Sequence, residues 1–101
     1  MTEIHAITMP KWGLAMTEGK VAGWAVGEGD AVSPGTEILD IETSKITNAV
    51  ETEHTGILRR VCAQEDETLP VGALLGVIAD SSVGADAIEA FIDGFQAEVA
   101  A

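Results

Sequence analysis

The sequence predicts an all-β fold, a flattened β-barrel or sandwich of two small antiparallel sheets with internal pseudo-two-fold symmetry, plus a C-terminal α-helix. Short apolar runs separated by Gly, Asp and Pro fill residues 1–80, and a shift of 37 positions superimposes much of that region on itself. In residues 81–101 apolar side chains recur instead at helical spacing. We therefore expect one domain over residues 1–80 and a linker with an amphipathic helix over residues 81–101, the alternative being that the helix begins a following domain.

The apolar runs are predicted to be strands because each is short and bounded by turn-forming residues. Glycines at positions 13, 19, 56 and 72 and the Ser33-Pro34-Gly35 sequence mark the turns between them. The predicted strands are Ile4–Met9, Lys20–Val26, Glu37–Glu42, Thr47–Glu51, Ile57–Cys62 and Leu74–Ala79.

The internal repeat predicts two similar halves. The shift of 37 positions aligns Gly19–Glu42 with Gly56–Ala79 and matches glycines as well as apolar residues, including Val32 with Leu69. A short period repeated twice favours a two-fold pseudo-symmetric domain over an open solenoid. Under the same shift, the residues that connect the runs Glu37–Glu42 and Thr47–Glu51 correspond to those just after Ala79, where the chain leaves the domain. We therefore expect that connection at the end of the domain opposite the exit.

The C-terminal segment is predicted to form a helix with one apolar face, made by Ile88, Phe91, Ile92, Phe95 and Val99. Asp86 and Glu89 have the spacing of a capping box. An isolated helix of this length is marginal in water, so we expect it to pack against something.

Composition excludes several functions. Five Lys and Arg against 17 Asp and Glu give a net charge of −12, so nucleic acid and anionic membrane surfaces would repel the chain. Cys62 is the only cysteine, which rules out an internal disulfide and a Cys-based metal cage. His5 and His54 are far apart in sequence and lack ligands at metal spacing, so no metal site is expected.

The chain has neither a basic leader followed by an apolar run nor a stretch of membrane-spanning length. A cytoplasmic protein is expected, although a processed organellar protein would look the same.

A family resemblance is carried by the segments Met9–Val21, Gly29–Val32, Gly35, Ile38–Lys45, Gly56–Leu58 and Val71–Ile78. Through them, most of residues 1–80 resembles the lipoyl domain family, within the biotinyl/lipoyl attachment family. The family usually has Asp before the modified lysine, and here that position is Ser44. The segment around Lys11-Trp12-Gly13-Leu14 and the Lys45-Ile46 pair are most similar to the dihydrolipoamide acetyltransferase component of acetoin dehydrogenase complexes.

The resemblance implies that Lys45 is the attachment point of a lipoyl group, added by a lipoate ligase or transferase, and that residues 1–80 are a lipoyl carrier domain. The implied partners are a thiamine-diphosphate-dependent decarboxylase that supplies an acyl group from acetoin or a 2-oxo acid, an acyltransferase active site with coenzyme A, and the FAD enzyme dihydrolipoamide dehydrogenase. The carrier domain would have no acid, base or nucleophile of its own. The full-length protein would be a dihydrolipoamide acetyltransferase.

Residues near the lysine are candidates for partner recognition: Trp12, Leu14, Glu42, Thr43, Ser44 and Ile46. The simpler interpretation of the apolar ones is that they cover the edge of the core.

Two other functions remain open. A biotin carrier also modifies a hairpin lysine, but such carriers typically have Met on both sides of it, where this chain has Ser44 and Ile46. An unmodified lipoyl-like interaction module is the second.

Overall fold

The computed structural model describes residues 4–12, 16–43 and 46–100, the last five of these by backbone only. Within them, eight strands and one helix form in the order β1 (Ile4–Thr8), β2 (Glu18–Trp24), β3 (Ala31–Val32), β4 (Glu37–Glu42), β5 (Thr47–Glu51), β6 (Gly56–Val61), β7 (Thr68–Pro70), β8 (Leu74–Ala79) and α1 (Ala85–Ala100).

Two four-stranded antiparallel sheets make up the flattened sandwich. Sheet A has the strand order β1-β8-β6-β3 and sheet B the order β5-β4-β2-β7. Corresponding positions are occupied by strands related by the repeat, β8 with β4, β6 with β2 and β3 with β7, while β1 and β5 are the matching edge strands. The predicted fold class and its internal symmetry are confirmed.

The two shortest strands were not predicted, since β3 has two residues and β7 three, and both lie in segments rich in turn residues. The sequence repeat nevertheless aligns Val32 of β3 with Leu69 of β7.

Strand β2 begins at Glu18, two residues before the predicted start, because Gly19 is a strand residue and not a turn residue. A Cβ at position 19 would lie 2.8 Å from Met9 Sδ and 2.9 Å from Ile41 Cγ2. The glycine is needed for close packing inside the sandwich.

The core between the sheets is aliphatic. β-Branched residues and leucines alternate inward along the strands, and the fully buried ones include Val21, Ile38, Leu39, Ile41, Leu58, Leu75 and Ile78. Burying such side chains is the main stabilising contribution in a domain of this size.

A second apolar cluster lies between α1 and the outer face of sheet A. Strand β8 is buried along its whole length, with Leu75 and Ile78 in the core and Leu74, Val77 and Ala79 under the helix. Ile88 and Ile92 of α1 are 2% and 8% exposed in this cluster. The expectation that the helix packs against something is confirmed.

The predicted capping box is wrong. The helix begins at Ala85, so Asp86 already lies within its first turn. The amides of Ala87 and Ile88 donate to the carbonyl of Gly84 at 3.1 and 3.2 Å. The carboxylate of Glu89 pairs with Arg60 of β6, which fastens the helix to sheet A.

Candidate functional site

The β4–β5 hairpin is the element that presents the predicted attachment lysine. Its register pairs Glu42 with Thr47 and Ile41 with Asn48. The connection between the two strands, residues 43–46, is called the tip segment below. Lys45 and Ser44 lie within it and outside the described residues, whereas the two residues that flank them, Thr43 and Ile46, are described.

Thr43 and Ile46 close the tip segment. The amide of Thr43 donates to the carbonyl oxygen of Ile46 at 2.8 Å. The amide of Ile46 donates to Oγ1 of Thr43 at 3.2 Å, and the same hydroxyl donates to the carbonyl oxygen of Ile46, also at 3.2 Å. These bonds continue the pairing of the two strands past Glu42 and Thr47.

Thr43 and Ile46, the described ends of the tip segment, lie at the end of the sandwich opposite the end of β8. Ala79, the last residue of β8, pairs with Ile57, which pairs in turn with Ala31 of β3. Strand β3 ends at Val32 and a short turn leads to the start of β4 in sheet B. Ala79 therefore lies at the end of the sandwich where β4 begins. Glu42 ends β4, roughly 16 Å further along the strand at the rise of an extended chain. Glu42 and its partner Thr47 therefore lie at the end of the sandwich where the repeat predicts the connection.

The residues that directly follow β1 and directly precede β2 lie at the same end of the sandwich as Thr43 and Ile46. Gly19 immediately precedes Lys20, which pairs with Glu42 at the end of β4. Met9 is 1% exposed and its sulfur packs over the backbone of Gly19, beside Ile41. The chain that follows Met9 is thereby brought to the hairpin end of the molecule.

Two large apolar side chains are exposed among the described residues, Trp12 at 37% and Ile46 at 45%. Both belong to the segments at the hairpin end. The amide of Trp12 donates to Sδ of Met16 at 3.3 Å, which closes the loop on itself, and Met16 packs against the core. Leu14, the third apolar candidate, lies outside the described residues.

The outer face of sheet B is acidic beside the tip segment. Asp40 and Glu42 of β4 and Glu18 of β2 are exposed. Lys20, paired across from Glu42, forms an ion pair with Asp66 at 3.6 Å between Nζ and Oδ1. With α1 covering part of sheet A, sheet B is the open face next to the hairpin.

His5 and His54 come together, which their separation in sequence did not predict. Their rings stack at a centroid distance of 3.7 Å and an interplanar angle of 6°. The described residues contain no group of three or more His, Cys, Asp or Glu side chains that could hold a metal ion.

Cys62 is half-buried and packs against the cluster beneath α1. Burial raises the pKa of its thiol, and the charge of Arg60 opposes that rise.

In the described part of the chain, no helix is long and apolar enough to cross a membrane.

Comparison with known proteins places these features in context. Residues 5–78 match the family model described as "Biotin-requiring enzyme". The chain is 52% identical over all its 101 residues to the dihydrolipoyllysine-residue acetyltransferase component of the acetoin cleaving system of Pseudomonas putida, of which it covers 27%. It is 49% identical over 93 residues, 92% of its length, to the corresponding component of Cupriavidus necator, of which it covers 25%.

The chain thus spans about a quarter of the length of these two relatives. Among solved structures, the lipoyl domain of the 2-oxoglutarate dehydrogenase complex from Azotobacter vinelandii is similar at a TM-score of 0.62 and 32% identity. That match covers 78% of this chain and 98% of the lipoyl domain. The family match ends before α1 begins, whereas the P. putida match includes it.

Proposed function

Because the chain belongs to the biotinyl/lipoyl attachment family, in which it is a lipoyl domain, we propose that Lys45 bears a lipoyl group that transfers acyl groups in a multienzyme complex. The single observation that supports this most directly is the β4–β5 hairpin. The connection between its strands, residues 43–46, contains Lys45, and the described residues on either side lie at the end of the sandwich opposite the end of β8.

The residues around the connection fit a covalent lipoyl group. Glu42, Ile46 and Thr47 are all exposed, so a modifying enzyme has access to the hairpin from solvent. The pairing of β4 with β5 continues up to Glu42 and Thr47, at the base of the tip segment. When bound, lipoate supplies a redox-active disulfide that accepts an acyl group and releases it to coenzyme A.

The contribution of this chain is to present the modified lysine to other enzymes. A carrier must offer one group to several active sites in turn, which requires exposure and weak, rapid contacts. We propose a thiamine-diphosphate-dependent decarboxylase as the acyl donor, an acyltransferase site with coenzyme A as the acceptor, and dihydrolipoamide dehydrogenase as the oxidant. A lipoate ligase or transferase would attach the lipoyl group. The similarity to the P. putida and C. necator proteins favours an acetoin-cleaving complex.

Partner recognition is proposed for the surface around the tip segment. Trp12 and Ile46 supply exposed apolar area at the hairpin end. Glu42 supplies negative charge on an acidic sheet face, which steers a basic partner and adds little to affinity. Ser44, Leu14 and Thr43 complete the set predicted from the sequence, and Ser44 replaces the Asp that the family usually has next to the lysine.

Mass spectrometry after co-expression with a lipoate ligase and a biotin ligase, with both cofactors supplied, tests the proposal. We expect one lipoyl increment on the peptide that contains Lys45. Lys45→Arg should abolish it, while the matched control Lys20→Arg should leave it intact. A biotin increment on Lys45 would make the domain a biotin carrier. An unmodified Lys45 would favour an interaction module.

A further inference from the structure

We infer that Thr43 is a positioning residue for the modification of Lys45, acting through the hydrogen bonds of its hydroxyl to Ile46. This inference rests on the proposed function. It differs from partner recognition, because the hydroxyl acts within the chain and shapes the connection that presents the lysine.

The hydroxyl of Thr43 takes part in closing the hairpin. In antiparallel pairs, residues that face each other commonly exchange two backbone hydrogen bonds. Here the amide of Thr43 bonds to the backbone of Ile46, while the amide of Ile46 bonds to the Thr43 side chain. Because that oxygen also donates to the Ile46 carbonyl, one side chain engages both polar groups of Ile46.

The effect of this hydroxyl should be confined to the tip segment. The register on both strands continues below it through the Glu42–Thr47 and Ile41–Asn48 pairs. Ile41 is fully buried, which anchors β4 in the core. Removing the hydroxyl therefore leaves the sandwich folded and changes how often Thr43 and Ile46 are hydrogen-bonded to each other, which is called the closed form below.

A modifying enzyme that reads a lysine at a fixed place on a turn binds the closed form, so its apparent affinity falls with the fraction of closed molecules. A hydrogen bond in water contributes enough that its loss changes such an equilibrium about fivefold. The expected signature is thus a higher KM for the domain with little change in kcat.

Thr43→Val tests the inference, since valine keeps the β-branched shape and lacks the hydroxyl. Thr43→Ser restores a hydroxyl, and Thr47→Val removes one from the same hairpin outside the tip segment. With a lipoate ligase and the domain as varied substrate, we expect Thr43→Val to raise KM by up to about fivefold, and Thr43→Ser and Thr47→Val to leave KM at the wild-type value. Amide hydrogen exchange at Ile46 should accelerate in Thr43→Val by about fivefold.

The outcomes separate this inference from the proposed function. Faster exchange at Ile46 with an unchanged KM in Thr43→Val would show that turn closure does not matter for modification and would overturn the inference. An equal rise of KM in Thr47→Val would do the same. A wild-type domain that the ligase leaves unmodified overturns the proposed function itself, and the positioning role with it.

Discussion

The indole of Trp24 lies directly over Gly76. A Cβ built at position 76 would be 3.1 Å from Cη2 of Trp24 and 2.9 Å from the carbonyl oxygen of Arg60. Nε1 of Trp24 donates to the carbonyl oxygen of Ala63 at 3.0 Å. Trp24 belongs to sheet B, whereas Gly76 and Arg60 belong to sheet A, so this one side chain packs across both sheets.

Gly76→Ala should destabilise the domain by about 1–3 kcal/mol, because the added methyl group meets backbone that cannot move without disturbing the β6–β8 pairing. Urea unfolding followed by tryptophan fluorescence measures the change. Gly23→Ala is the matched control, since its Cβ would meet only a side-chain oxygen of Glu65 at 3.6 Å. Equal losses of stability in the two variants would contradict the packing argument.

Gly94→Ala should stabilise the domain by about 0.5–1 kcal/mol, since alanine is the better helix former and restricts the unfolded chain more. Gly94 lies inside α1, and a Cβ there meets no atom within 4 Å. Ala90→Gly, at an exposed position of the same helix, should lower stability by a similar amount. A lower urea midpoint for Gly94→Ala would mean that the helix does not form as described.

Ile88→Ala should lower the free energy of unfolding by about 2–3 kcal/mol, because it leaves a cavity between α1 and strand β8. Asp93→Ala, on the exposed side of the helix, should change it little. Chemical denaturation distinguishes the two. Unchanged stability in Ile88→Ala would show that α1 does not contribute to the folded domain.

The regular part of the fold could be predicted from the sequence because it follows from local patterns. The apolar runs Glu37–Glu42, Thr47–Glu51 and Leu74–Ala79 match β4, β5 and β8 residue for residue. The error at β2 has a physical origin. Gly19 was interpreted as a turn residue, yet its missing side chain serves packing against Met9 and Ile41, which only the three-dimensional arrangement reveals.

The candidate site, in contrast, does not follow from local patterns. Lys45 is a candidate through the resemblance to a family, since a lysine between two strands is by itself an ordinary surface residue. The role of the Thr43 hydroxyl depends on bond geometry to Ile46 that no residue pattern specifies. The stacking of His5 on His54 joins two distant segments, and neither residue lies in a pattern that pairs them.

Cys62→Ala should make the free energy of unfolding depend less on pH in alkaline solution. Folding buries the thiol, so its pKa in the folded state lies above that in the unfolded state. The resulting contribution to stability is fully present below the unfolded pKa and is lost as pH rises through the folded pKa. Urea midpoints measured from neutral pH to above pH 9 should therefore fall more steeply in the wild type than in Cys62→Ala.

The reactivity of Cys62 should report on the packing of α1. Alkylation requires the thiolate, so iodoacetamide at pH 8 should modify the folded protein several-fold more slowly than the unfolded protein. Because Cys62 packs against the cluster beneath the helix, Ile88→Ala should accelerate alkylation, while Asp93→Ala should not. If Cys62 reacted equally fast in all three proteins, its protection would come from sheet A alone, and the helix would have no part in covering it.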